Sequence, residues 1–263
     1  MFFAIQETPY DLKWRMFGIH VRVHPLFWLV AAIFSWVWVQ WGVQHILISM
    51  ACIFLSILIH ELGHVVVGKC FGSHGHIVLW AMGGLAIGSN QLDSRWKRVA
   101  VLLAGPFAQF LLLAIVWAMW PRDHIVLYTE GFGGRLVVGV EKDSVWYYLV
   151  AAYVTLLFVN LVWPILNLLP IWPLDGGQIS REWFTYFSPR NGVRFSLHLS
   201  IGVALLLALH ILIAWKTERG IIPYINQPFN AVFFGVLAAM GYQALQAENE
   251  RTRWFDPWDH ERW

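Results

Sequence analysis

The sequence predicts an all-α polytopic membrane protein, with about six transmembrane helices and a small membrane-embedded β-hairpin or sheet. Composition is the first reason: 58% of the 263 residues are hydrophobic and 13% are charged, against ~25% charged in soluble domains. Six apolar stretches, each long enough to cross ~30 Å of hydrocarbon, are the second. The third is aromatic placement, since Trp41, Trp120, Trp146, Tyr147, Tyr148 and Trp215 gather near the ends of those stretches, as an interfacial belt does. A net charge of +2 leaves no footprint for nucleic acid.

The spans fall at about Pro25–Trp41, Ile46–Lys69, Arg98–Trp120, Val145–Leu166, Phe195–Trp215 and Gln227–Leu245. Met1–Arg22 carries Glu7, Asp11, Lys13 and Arg15 and does not read as a cleavable signal, so the first span is expected to act as an uncleaved anchor. Counted by alternate connections, 13 Lys and Arg lie on the side of the termini and 5 on the other. That bias places both termini in the cytoplasm. The resulting layout is a cytoplasmic strand segment (1–24), a core (25–194), two further transmembrane helices (195–247) and a short cytoplasmic tail (248–263). Cys52 and Cys70 share one predicted helix, roughly 27 Å apart, so they cannot pair within it and read as small apolar residues.

Two segments break the helical pattern. Ser73–Asn90 (SHGHIVLWAMGGLAIGSN) reads as two short strands, His76–Ala81 and Leu85–Gly88, turning at Met82-Gly83-Gly84. At membrane depth such a hairpin needs shielding by protein or a wet cavity, and its outer edge can pair with another strand. Pro121–Ser144, containing GFGGRLVVGV, reads as a small external hairpin or flap.

The chemistry is concentrated in HELGH, His60–His64, inside the second apolar stretch. On a helix, residues i and i+4 share a face, so His60 and His64 can bind one metal, and neutral imidazole suits Zn²⁺. Glu61 lies ~100° around the helix, where it can act as a general base without ligating. Gly63 permits close approach of a neighbour. Ionisable groups inside a span mark function by default, and a catalytic zinc needs a third protein ligand. His60 and His64 lie roughly 8–14 Å below the cytoplasmic surface. Asp175 emerges on the same side from the Pro-broken end of the fourth span, WPILNLLPIWPLDGGQ, and is the candidate third ligand.

HELGH together with NLLPIWPLDGGQ resembles the site-2 protease family of intramembrane zinc metalloproteases. The resemblance covers about Phe17–Ser180 and implies one Zn²⁺ held by His60, His64 and Asp175, with Glu61 activating water. It further implies that Asn167 holds substrate or stabilises the oxyanion. AMGGLA, with Gly83 and Gly84, corresponds to the family's membrane-embedded hairpin, whose edge takes an extended substrate. AGPFAQ (Ala104–Gln109) resembles the Gly-Pro segment of the third span, and FGIHVRVHP the opening strand. Gln109 stands where the family often has Asn and receives no role. About 25 residues join the third and fourth spans, which leaves no room for a PDZ-like insertion, so a minimal form is expected.

The expected activity is therefore zinc-dependent endoproteolysis of single-pass or membrane-anchored proteins, within or near their transmembrane segment, in a prokaryotic plasma membrane. Oligomeric state, substrate and trigger are left open. A non-catalytic client-binding scaffold and a metal transporter are the alternatives, although ligands converging on one depth do not describe a transport route. In the other class of membrane HExxH proteases the further ligand is a downstream Glu. Glu130 and Glu141 fall on the opposite side for that role, and Glu182 competes poorly with Asp175. The other histidines, including His45, His74, His76 and His210, read as interfacial or structural.

Overall fold

The structure is a computed structural model, and it describes residues 6–119, 127–130, 135–138, 145–217 and 228–254. The chain divides into two compact units. One holds residues up to Tyr128 with Leu136–Ile165, and the other holds Thr129–Arg135 with Leu166–Trp263.

The first unit begins with strands β1 (Leu12–Met16) and β2 (Ile19–Val23), followed by helix α1 (Pro25–Ser35) and a 3-10 segment, Trp36–Trp41. Helix α2 (Val43–Cys70) leads into β3 (His76–Trp80) and β4 (Gly83–Ile87), then helices α3 (Arg95–Ala118) and α4 (Val145–Asn167). The strands form one sheet in the order β1-β2-β3-β4. β1 is antiparallel to β2, β2 is parallel to β3 with Val21 opposite Ile77, and β3 is antiparallel to β4 with Val78 opposite Leu85. Alternation along β2 buries Ile19, Val21 and Val23, while His20 faces out. These residues pack with Ile77, Leu79, Phe27, Ile57 and Val65 into a single apolar cluster beneath the sheet. Burial of each large side chain there contributes roughly 2 kcal/mol.

The expected hairpin is present, with a shifted turn. The strands are His76–Trp80 and Gly83–Ile87, so the turn is Ala81-Met82, and Gly83 and Gly84 are strand residues. Gly83 has φ +114°, and a side chain there would strike the Trp163 ring of α4. Strands β5 (Leu127–Glu130) and β6 (Arg135–Val138) pair in the segment read as an external hairpin. The remainder of that segment, and the aromatic tail beyond Trp254, lie outside the described residues.

The second unit contains helices α5 (Asp175–Phe187), α6 (Gly192–Thr217) and α7 (Pro228–Trp254). α6 offers Ser196, Leu197, Ser200, Ala204, Ile211 and Ala214 as its buried face. Gly241 of α7 lies against Ile201 and Ser200 of α6, which lets the two backbones approach closely.

Among the described residues four helices are long and apolar enough to cross a membrane: Val43–Cys70, Arg95–Ala118, Val145–Asn167 and Gly192–Thr217. Two of the six expected spans, one at each end, are not among these four. The first expected span is an 11-residue helix followed by a 6-residue 3-10 segment. α7 has 27 residues, but Gln243, Gln246, Glu248, Asn249, Glu250 and Arg251 make its C-terminal half polar, and it is not among the four. Both cysteines are free thiols on α2, Cys52 buried and Cys70 exposed.

Candidate metal centre

The HELGH turn lies within α2, so His60 and His64 share a face as their spacing requires. His60, Glu61 and His64 are buried to 2%, 4% and 5% exposure, in a helix otherwise built for an apolar setting. The two rings stand nearly perpendicular with centroids 4.7 Å apart.

Each ring is oriented through its Nδ1. His60 Nδ1 lies 2.9 Å from Gln109 Oε1 on α3. Gln109 Nε2 donates to the Ser56 carbonyl at 3.3 Å. That bond fixes which end of the amide faces His60, so the imidazole N–H is the donor in the pair. His64 Nδ1 lies 2.7 Å from the Val101 carbonyl, which can only accept. Both neutral rings therefore carry their hydrogen on Nδ1 and direct an Nε2 lone pair inward. The two Nε2 atoms are 3.0 Å apart. Two acceptors at that distance need a cation or a proton between them. Ligands on a tetrahedral zinc at ~2.05 Å would sit about 3.3 Å apart.

The space beside this pair is kept open by Gly105 of α3. A Cβ at that position would collide with His64 Nε2 and come within 2.8 Å of His60 Nε2. Gly63 does the corresponding job on α2, where a Cβ would lie 2.5 Å from the Ala104 carbonyl oxygen. The close α2–α3 approach that brings Gln109 and Val101 to the imidazoles thus depends on two missing side chains. The donor chemistry, the fixed tautomers and the cradle all fit a zinc ion.

Glu61 points to the sheet. A Cβ on Gly84 of β4 would fall on the Glu61 carboxylate, its carboxyl carbon 2.5 Å away. The edge strand and the candidate base are therefore in direct contact. Among the described residues β4 pairs only with β3, so its other edge carries no strand partner.

Of the remaining sequence-predicted site residues, Asn167 ends α4 and Asp175 opens α5, each 8% exposed. Gly176 and Gly177 follow Asp175 closely packed on the backbone of the Leu168–Trp172 link, where a Cβ at Gly177 would lie 2.5 Å from the Ile171 carbonyl. Ser200 on α6 accepts from Trp172 N–H at 2.7 Å and holds that link in place.

Two residues with clear roles carried no assignment from the sequence. Gln109 is fully buried and orients His60. Asn160 of α4, also fully buried, donates to Ser56 Oγ at 2.9 Å. The signal available was periodic: His45, Ser49, Ser56 and His60 are buried polar residues on one stripe of an apolar helix. Ser49 Oγ receives Ser35 at 3.0 Å and Thr155 at 3.1 Å, which extends that stripe to α1 and α4.

A family model, peptidase family M50, matches residues 48–209, more than half of the chain. The chain belongs to this family, that of the site-2 proteases. It is similar to stage IV sporulation protein FB of Bacillus subtilis, 28% identical over 203 residues, 76% of this chain and 60% of that protein. A putative zinc metalloprotease of Synechocystis is 30% identical over 140 residues, 52% of this chain and 31% of that protein. A zinc metalloprotease of Methanocaldococcus jannaschii is 25% identical over 227 residues, 84% of this chain and 58% of that protein. The chain thus spans 60% or less of the length of these relatives. A solved structure titled as the site-2 protease from Methanocaldococcus jannaschii shares the fold, with TM-score 0.51 and 17% identity over 92% of this chain and 94% of that one. With four apolar helices of crossing length, this site-2 family chain is an integral membrane protein.

Proposed function

We propose that the protein is a zinc endopeptidase that cuts membrane-anchored proteins within or near their transmembrane segment. Residues 25–194 form its catalytic core, and its setting is a prokaryotic plasma membrane with both termini in the cytoplasm. The observation that carries the reading is the imidazole pair with both N–H groups engaged by Gln109 and Val101 and both Nε2 atoms directed at one point. His60, His64 and Asp175 each offer one donor atom and each is buried, and we assign them as holders of one Zn²⁺. When bound, the ion polarises the scissile carbonyl and lowers the pKa of the attacking water.

The chain's own groups do the rest. An extended substrate segment adds to the edge of β4 away from β3 through main-chain hydrogen bonds, with Gly83 and Gly84 giving its backbone room. That edge adjoins Glu61, which takes the proton of the attacking water and delivers it to the leaving amine nitrogen. The Asn167 amide donates to the oxygen on which negative charge develops. Burial of Glu61 and the imidazoles keeps bulk water from competing for these bonds.

The test is co-expression with membrane-anchored candidate substrates, comparing wild type with Glu61→Gln. Cleavage is expected to fall by at least about 100-fold, with the zinc content of the purified protein unchanged. Equal cleavage by the variant would overturn the assignment.

A further inference from the structure

A second basic site lies at the other side of the sheet from the chemistry. The β1–β2 turn, the last turn of α2 and the loop leading into β3 enclose a cavity of about 320 Å³. Its polar lining is Arg15, His20, Lys69, His74 and His76, with no carboxylate among the lining residues. Gly18 forms the floor of the turn at φ +70°. The Lys69 ammonium sits 3.8 Å from where a Cβ there would be, so the missing side chain leaves the cation open to the cavity.

The neighbouring cations are handled differently. Lys13 pairs with Glu7 at 2.5 Å, and Arg22 pairs with Asp11 at 3.1 Å. Among the described residues, Arg15 and Lys69 make no ion pair. Two fixed cations and three imidazoles thus converge on one hollow whose acidic neighbours are already committed elsewhere. The His76 imidazole is held below its usual pKa first by partial burial and then by Arg22 and His20 beside it.

Depth bears on the occupant. α2 has 28 residues, about 42 Å at 1.5 Å per residue, longer than the ~30 Å hydrocarbon layer. Lys69, in its last turn, therefore sits at the level of the headgroups. Phe17, at the tip of the β1–β2 turn, is 86% exposed, as suits an aromatic ring resting at that level.

We propose that this cavity binds a phosphate-class anion, presented either as the phosphodiester of an anionic phospholipid headgroup or as free phosphate. Arg15 supplies the paired N–H donors and Lys69 the point charge, with the histidines as further donors. An occupant there would tie the sheet to the end of the helix that carries His60 and His64.

The test uses the purified full chain in a zwitterionic detergent, followed by thermal unfolding. Short-chain phosphatidylglycerol, short-chain phosphatidylcholine and inorganic phosphate are titrated separately. Wild type is compared with Arg15→Gln, Lys69→Gln and, as a control of equal charge loss outside the cavity, Lys13→Gln. Protection by phosphatidylglycerol or by phosphate is expected, with apparent affinity about tenfold weaker in Arg15→Gln and in Lys69→Gln and unchanged in Lys13→Gln. Protection by phosphatidylglycerol alone identifies a headgroup, and protection by inorganic phosphate identifies the free anion. Equal protection by phosphatidylcholine, equal response of all variants, or no protection of wild type overturns the proposal.

Discussion

Gln109 is uncharged and sits in the middle of an apolar helix, yet the metal-binding role proposed for His60 runs through it. Its Oε1 accepts from His60 Nδ1, and its own amide is anchored on Ser56. Gln109→Leu removes the acceptor that selects the tautomer, and zinc affinity measured by chelator competition is expected to fall about 10- to 100-fold. Gln109→Glu keeps an acceptor oxygen and should retain more of the affinity. The two glycines give a sharper contrast, since each faces a different part of the site. Gly105→Ala puts a methyl group against both Nε2 atoms. It is expected to lower the zinc content itself, with an overpacking cost of about 1–3 kcal/mol. Gly84→Ala puts a methyl group on the Glu61 carboxylate. It is expected to leave zinc content near one per chain and to reduce cleavage at least about tenfold by displacing the base. If both variants lose zinc equally, the separation between ligand face and base face fails.

At the scale of elements, legibility followed the range of the interaction that decides each feature. α2, α3, α4 and α6 could be read because a crossing helix needs only local composition, and HELGH could be read because its geometry is set within one turn. The turn of the β3–β4 hairpin was misplaced because Met82-Gly83-Gly84 offers several turn positions; the pairing of Trp80 with Gly83 decides among them. The break at Trp36–Trp41 has no local Pro to announce it. Gln109 and Asn160 were not assigned because their partners lie 49 and 104 residues away. The β1–β2 hairpin also carries an electrostatic clasp that is local enough to test. Burial pushes the Asp11 carboxyl up, but hydrogen bonds from Thr8 and the charge of Arg22 outweigh it and hold the group below its ordinary 3.8. A carboxyl depressed in the folded state stabilises above its unfolded pKa, and that contribution is lost as pH falls through the folded value. Asp11→Asn is therefore expected to lower the thermal midpoint at pH 7. The difference from wild type should close only below about pH 4, as followed by thermal scans across pH.

For the whole molecule the open quantity is its placement across the bilayer. Both termini reach the same side if Pro25–Trp41 and α7 cross together with the four helices that are long and apolar enough among the described residues. Counted over those six expected spans, the excess of Lys and Arg, 13 against 5, is the basis for proposing the cytoplasm as that side. On the proposed six-crossing arrangement, with Pro25–Trp41 crossing first, α2 would run from outside to inside and deliver its C-terminal end, with Lys69 and Cys70, to the cytosol. The chain contains its own reporter for this orientation. Cys70 is exposed and Cys52 is buried, so a membrane-impermeant maleimide should add about one label per chain, and Cys70→Ser should abolish it. Labelling is expected in inside-out vesicles and absent from right-side-out vesicles. The reverse pattern would invert the molecule. It would place the base, the imidazoles and the β4 edge nearer the outer surface, so that substrate and water would have to enter from there.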